Sequence, residues 1–144
     1  MNMALKKNFA KAYANTAIES IVSEASPHKL VEILYENAIK NLKLAKIFIE
    51  QKNFEKKAFH LNKALSIITE LRSGVDMERG KEVAENLVAL YDYCYRTTFQ
   101  ASIKNEVGFI EEVISLLEPV AEAWQQMPDN IKRASKEQFD RVSL

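Results

Sequence analysis

Few residues of this chain could do chemistry, and their spacing decides which kinds are open. His28 and Glu32 stand four apart, a spacing that puts both on one face of a helix. An imidazole and a carboxylate so placed could share a proton or begin a metal site. Two ligands do not complete one, and neither His28 nor His60 has the Glu three residues earlier that inward-facing di-iron sets require. A helix-start histidine beside a solvated glutamate is the reading favoured. Cys94, the single cysteine, falls on an apolar stripe with no His or basic neighbour in the pattern to ionise it. A buried structural thiol is expected there, not a nucleophile. Glu111-Glu112 reads as helix-surface charge, and the sequence has no Gly-rich phosphate loop. No metal, no cofactor and no enzyme activity are expected.

The elements that must position these residues are helices. After Pro27 the apolar spacing is close to 3.6 residues nearly everywhere, and no two-residue alternation persists. The spacing predicts a first helix over about 27–51, with Leu30, Leu34, Ala38, Leu42, Ala45 and Ile49 as its stripe. Ser26 is its expected N-cap and Pro27 its first residue, where a missing N–H does no harm. Asn53 caps a second helix over about 54–73, with Phe54, Ala58, Leu61, Leu65 and Ile68 inward. Gly74 is expected beyond its end, free to take positive φ. "VDMERG" reads as a connection to a third helix over about 80–104, carrying Val83, Leu87, Leu90, Tyr91, Cys94 and Ala101. A fourth runs from about Glu106 to Met127, with a kink expected at Pro119; a true break leaving "VAEAWQQ" apart is the alternative.

Helices of this length with short connections predict an all-α, antiparallel up-down-up-down four-helix bundle. It is expected as one domain over 1–144: a lid segment at 1–25, the core at 26–127 and a weakly amphipathic tail at 128–144. A chain of 144 residues is long enough to bury roughly 68–70% of its unfolded surface. Twenty basic and twenty acidic residues cancel, so no net field draws nucleic acid or an anionic membrane. No apolar run approaches the roughly 20 residues of a membrane span, and "AYANTAIES" is not the core of a signal peptide. A lone cysteine suits a reducing compartment, and the expected address is the cytoplasm.

What remains is apolar surplus. Tyr91, Tyr93 and Tyr95 fall within one short stretch of the third helix and cannot all enter one core. They could straddle its boundary with wet hydroxyls, or help to line a surface groove for an amphipathic partner. Tyr13, Ile18, Ile21 and Val22, ahead of the first helix, lie on helical spacing too. That segment could be a fifth core element or a reversible lid. The expected groove lies on helices two and three, at Leu65, Ile68, Leu71, Leu87, Tyr91 and Tyr95. A homodimeric structural or regulatory module is the other class that such a surface would fit.

"AYANTAIESIVSEASPHKLVEILYENAIKNL", "NKALSIITELRSGVD", "GKEVAENLVALYDY" and "EEVISLLEPVAEAW" occur in an order and spacing that resemble the flagellin-specific export chaperones, the FliS family, over nearly the whole chain. The family often has Gly at Asn37, Leu at Val75, a Gly pair at Arg79-Gly80 and an Ala-Asn pair at Ala101-Ser102. Of these, the Arg79 change could alter the turn into helix three. The resemblance implies a cytoplasmic bundle that binds the disordered C-terminal segment of flagellin. It also implies that the bundle blocks premature filament assembly and keeps the subunit fit for type III export. By the same resemblance, the segment around Tyr13 occupies part of the apolar surface until the client arrives. An export-gate component is a further expected partner, and the chain is expected as a monomer or weak dimer.

Overall fold

The structure, a computed structural model, describes residues 27–128. The expected lid, with Tyr13, Ile18, Ile21 and Val22, the Ser26 cap and all but the first residue of the tail lie outside them. Four helices follow in order: α1 (Pro27–Glu50), α2 (Phe54–Ser73), α3 (Met77–Lys104) and α4 (Val107–Gln125). No strand occurs among the described residues. Each helix packs against two neighbours, in the ring order α1, α2, α3, α4 and back to α1. The pairs that cross the seams run in opposite senses: Lys57 meets Ser102 while Arg72 meets Asp92, and Lys43 meets Glu118 while Lys46 meets Glu111. Neighbouring helices are therefore antiparallel, as the short connections require.

The predicted stripe of α1 is the centre of the core, with Leu30, Leu34, Ala38, Leu42, Ala45 and Ile49 all buried. Facing it are Leu61, Ala64 and Ile68 of α2, Tyr91, Cys94 and Ala101 of α3, and Ile110, Val113 and Leu117 of α4. Each large aliphatic residue so enclosed contributes about 1.5–3 kcal/mol relative to exposure. Two residues counted inward from periodicity are not inside: Phe54 is 45% exposed and Val83 is 66% exposed. Both lie near helix starts, where fewer neighbouring residues remain to cover them.

The helix ends correct the sequence reading in two places. Asn53 does cap α2, its side chain accepting from the Lys56 N–H at 3.2 Å. Gly74, however, keeps a right-handed conformation at φ −84°. The end of α2 closes through Gly74 N–H to Glu70 and Val75 N–H to Arg72, without a left-handed residue. The connection into α3 is shorter than "VDMERG" implied, because the Asp76 carboxylate accepts from the N–H groups of Glu78 and Arg79 and starts the helix at Met77. This first turn then bends at Lys81, whose φ of 49° and ψ of −119° are not helical. Pro119 does not end α4, which runs through it to Gln125, so "VAEAWQQ" is not a separate turn. Pro119 and Ser115 both face solvent, where water can satisfy the carbonyl that proline leaves without a donor.

Candidate functional site

The cysteine and the two histidines are packed into the bundle. Cys94 is fully buried and its thiol is pushed up to about 11, chiefly by desolvation, so it stays protonated near neutrality. His60 stacks on Phe48 with ring centroids 5.4 Å apart, and its Nδ1 lies 2.8 Å from Asn41 Oδ1. Desolvation first, and then Lys63, Lys40 and Lys56, lower its pKa and favour the neutral ring. His28 and Glu32 do share a face, with Nδ1 3.5 Å from Oε1, but the glutamate is not solvated as expected. Both are buried, His28 beneath Trp124 in a stack with centroids 4.7 Å apart. Packing of α4 on α1 covers that face, and the Trp124 N–H fixes the pair by donating to the His28 carbonyl at 2.9 Å. Among the described residues, no group of three or more His, Cys, Asp or Glu is placed to hold a metal ion. No described helix is long and apolar enough to cross a membrane.

The apolar surplus is arranged in two places. The first is a hollow of about 300 Å³ at the pole where α1 begins and α4 ends. Leu71, Leu87 and Tyr91 of the expected groove line it, together with Val31, Leu34 and Val75. Tyr91 is fixed in its wall by a hydrogen bond between its hydroxyl and that of Tyr35. Burial pushes both phenols upward, so neither ionises near neutral pH.

The second place is the outer side of the α2–α3 seam. Residues four apart on a helix with 3.6 residues per turn advance by about 40° per step. Tyr91, Tyr95, Phe99 and Ile103 follow that spacing, and the row turns steadily out of the core: they are 3%, 40%, 48% and 59% exposed. Phe54 adds an exposed ring at the start of α2, while the exposed ring of Phe59 lies edge-on to His60, away from this seam. Lysines lie over these faces, with Lys57 Nζ 5.6 Å from the Phe54 centroid and Lys63 Nζ 5.0 Å from that of Phe59.

The predicted groove residues are thus not one cluster. Leu71, Leu87 and Tyr91 meet at the polar hollow, and Tyr95 belongs to the outward-turning row. Leu65 is buried and Ile68 is enclosed in the core. Tyr91 is inside while Tyr93, on the other side of the helix, and Tyr95 are out, so the three do not share one core; the exposed Tyr93 donates to Glu112 of α4. The sequence reading missed Phe99 and Ile103, although their spacing of four from Tyr95 was visible.

Among the described residues, the apolar surplus is thus gathered at the polar hollow and along the outward-turning row. The family model described as "Flagellar protein FliS" matches residues 9–131. The flagellar secretion chaperone FliS of Salmonella typhimurium is 46% identical over 118 residues, 81% of this chain and 87% of the relative. The flagellar secretion chaperones FliS of Vibrio cholerae and Escherichia coli are 39% and 38% identical, each over more than four fifths of both chains.

Proposed function

The chain belongs to the FliS family of flagellar secretion chaperones, and on that premise we propose that it holds the disordered C-terminal segment of flagellin in the cytoplasm. Held this way, the client cannot polymerise early and stays competent for type III export. The observation that carries this reading is the row Tyr95, Phe99 and Ile103, exposed on a helix whose core side is already filled. Isolated exposed apolar residues need no explanation, but a continuous row on one seam does. An amphipathic client segment laid along it would be read through anchors spaced by three and four residues.

The energetics favour a long client. Four large apolar anchors contribute about 6–12 kcal/mol gross, at roughly 1.5–3 kcal/mol each. Ordering a flexible segment costs about 2–5 kcal/mol or more, and association adds its own entropic cost. One hollow alone would bind weakly. A client that covers the outer row and continues into the polar hollow through Leu71, Leu87 and Tyr91 gains enough surface. Residues 1–25, with Tyr13, Ile18, Ile21 and Val22, act as the lid of that apolar surface; a lid closed ten to one lowers apparent affinity about tenfold.

The decisive experiment mixes the chain with intact flagellin and with flagellin lacking its C-terminal segment. Binding of the intact protein alone supports the reading. Equal binding of both, or self-association of the chain without any client, refutes it; the second outcome favours the homodimeric module. Deleting residues 1–20 should keep the helical circular dichroism and strengthen binding, whereas a melted spectrum would make that segment core.

A further inference from the structure

The seam between α1 and α4 lies across the bundle from the outer row, and the client reading makes no use of it. It holds two adjoining hollows of about 510 and 550 Å³ that share Lys43, Ile47 and Glu118. Their floor includes Ile39, Leu44, Ile114 and Ala121, and Ile47 is 46% exposed within it. The α4 rim is acidic, with Glu111, Glu118 and Glu122. Exposed pairs bridge the top: Lys43 to Glu118 at 3.6 Å, Lys46 to Glu111 at 3.2 Å and Gln125 to Glu36 at 3.5 Å. Such pairs contribute little and exchange partners easily.

We propose that this seam is the docking site of the chain's own C-terminal segment, residues 129–144, "DNIKRASKEQFDRVSL". The point of departure fits: α4 ends at Gln125, which itself lines the seam, so the segment starts within about one turn of the seam's end. The length fits as well. From Gln125 back to Glu111 the seam follows α4 for about 21 Å, and sixteen helical residues span about 24 Å. The charges also match. Returned along the seam in helical form, Lys132 and Lys136 come beside Glu122 and Glu118. Ile131, Phe139 and Val142 then share one face, Ile131 over Ala121 and Phe139 over Leu44 and Ile47. The segment would act as a strap that covers the exposed floor and ties α1 to α4.

Cysteine pairs in the full chain test this, since the native Cys94 is buried. Under mild oxidation Lys43→Cys with Gln138→Cys should close a disulfide within one chain. The pair Phe59→Cys with Gln138→Cys, on the opposite face, should not. Adding Phe139→Asp to the first pair should slow closure about tenfold, the loss expected for one apolar anchor, and higher salt should slow it further. Circular dichroism of each variant shows that the bundle is intact. Equal closure rates for the two pairs, or disulfides that join separate chains and so place a second copy in the seam, would overturn the proposal.

Discussion

Lys57 and Asn105 fasten the start of α2 to the end of α3. The ammonium donates to Asn105 Oδ1 at 2.6 Å and to the Ser102 carbonyl at 3.0 Å, while the Lys57 side chain is buried. Asn105 is the left-handed residue that ends α3, at φ 55° and ψ 35°. A cation there satisfies an end carbonyl and opposes the negative end of the helix dipole.

Replacing Lys57 with Met keeps the stem and removes both bonds. The variant should lose about 1.5–3 kcal/mol of stability, as charge-assisted hydrogen bonds do, with its helical spectrum retained. Urea unfolding measures this, and an unchanged midpoint would show the contact to be idle.

Backbone strain is concentrated at Lys81, a residue with a side chain at positive φ inside a helix. Lys81→Gly should raise stability by about 1 kcal/mol by relieving that conformation. Gly80→Ala should do the opposite, since a Cβ there would sit 2.7 Å from that of Ala84. Thermal melts of the two variants should therefore move in opposite directions, and movement in the same direction would place the strain elsewhere.

Along the outward-turning row, Phe99→Ala and Ile103→Ala should each weaken client binding about tenfold or more, the effect of losing roughly 1.5 kcal/mol or more of apolar burial. Stability should stay within about 0.5 kcal/mol of the parent, as for other exposed positions. Ile68 and Tyr91 are unsuitable for this test, because a charge placed at either position would be buried in the core. Titration of each variant with a flagellin C-terminal peptide, beside its urea midpoint, separates the two effects. Unchanged affinity in both variants would move the client off this row.

Alkaline pH should destabilise the fold. Burial raises Cys94 from 9.0 to about 11, and it pushes Tyr35 and Tyr91 above their ordinary value as well. The unfolded chain gives up these protons first, so above about pH 9 the folded state holds more of them. The stabilisation from these neutral groups is complete below that point and is lost as pH climbs toward about 11. Urea midpoints between about pH 8 and about pH 10.5 should fall steadily; a flat profile would contradict the shifts.

Much of the fold was legible because the α1 stripe is long and regular, and Asn53 announced its cap. Asp76 was missed: a polar run ending in Gly80 looks like a connection until the aspartate is seen to hold two N–H groups. Periodicity fixes angles between residues of one helix but not the direction of its zero. Ile68 could therefore be taken for a groove residue although it is enclosed in the core. Glu32 shows the same limit, since only the packing of α4 buries it. The outward row was written in the sequence as four residues spaced by four, and the mismatch with 3.6 is what carries it into solvent.

The stack of Trp124 on His28 brings the first turn of α1 against the last turn of α4. Both flanking segments consequently leave from the same pole, beside the hollow that Leu71, Leu87 and Tyr91 line. A fusion protein or affinity handle inserted directly ahead of Pro27 or directly after Gln125 would crowd that entrance, whereas a reporter grafted near Lys52 or Asn105 would sit at the remote pole. Assays built on the first design would underestimate affinity for reasons unrelated to the client.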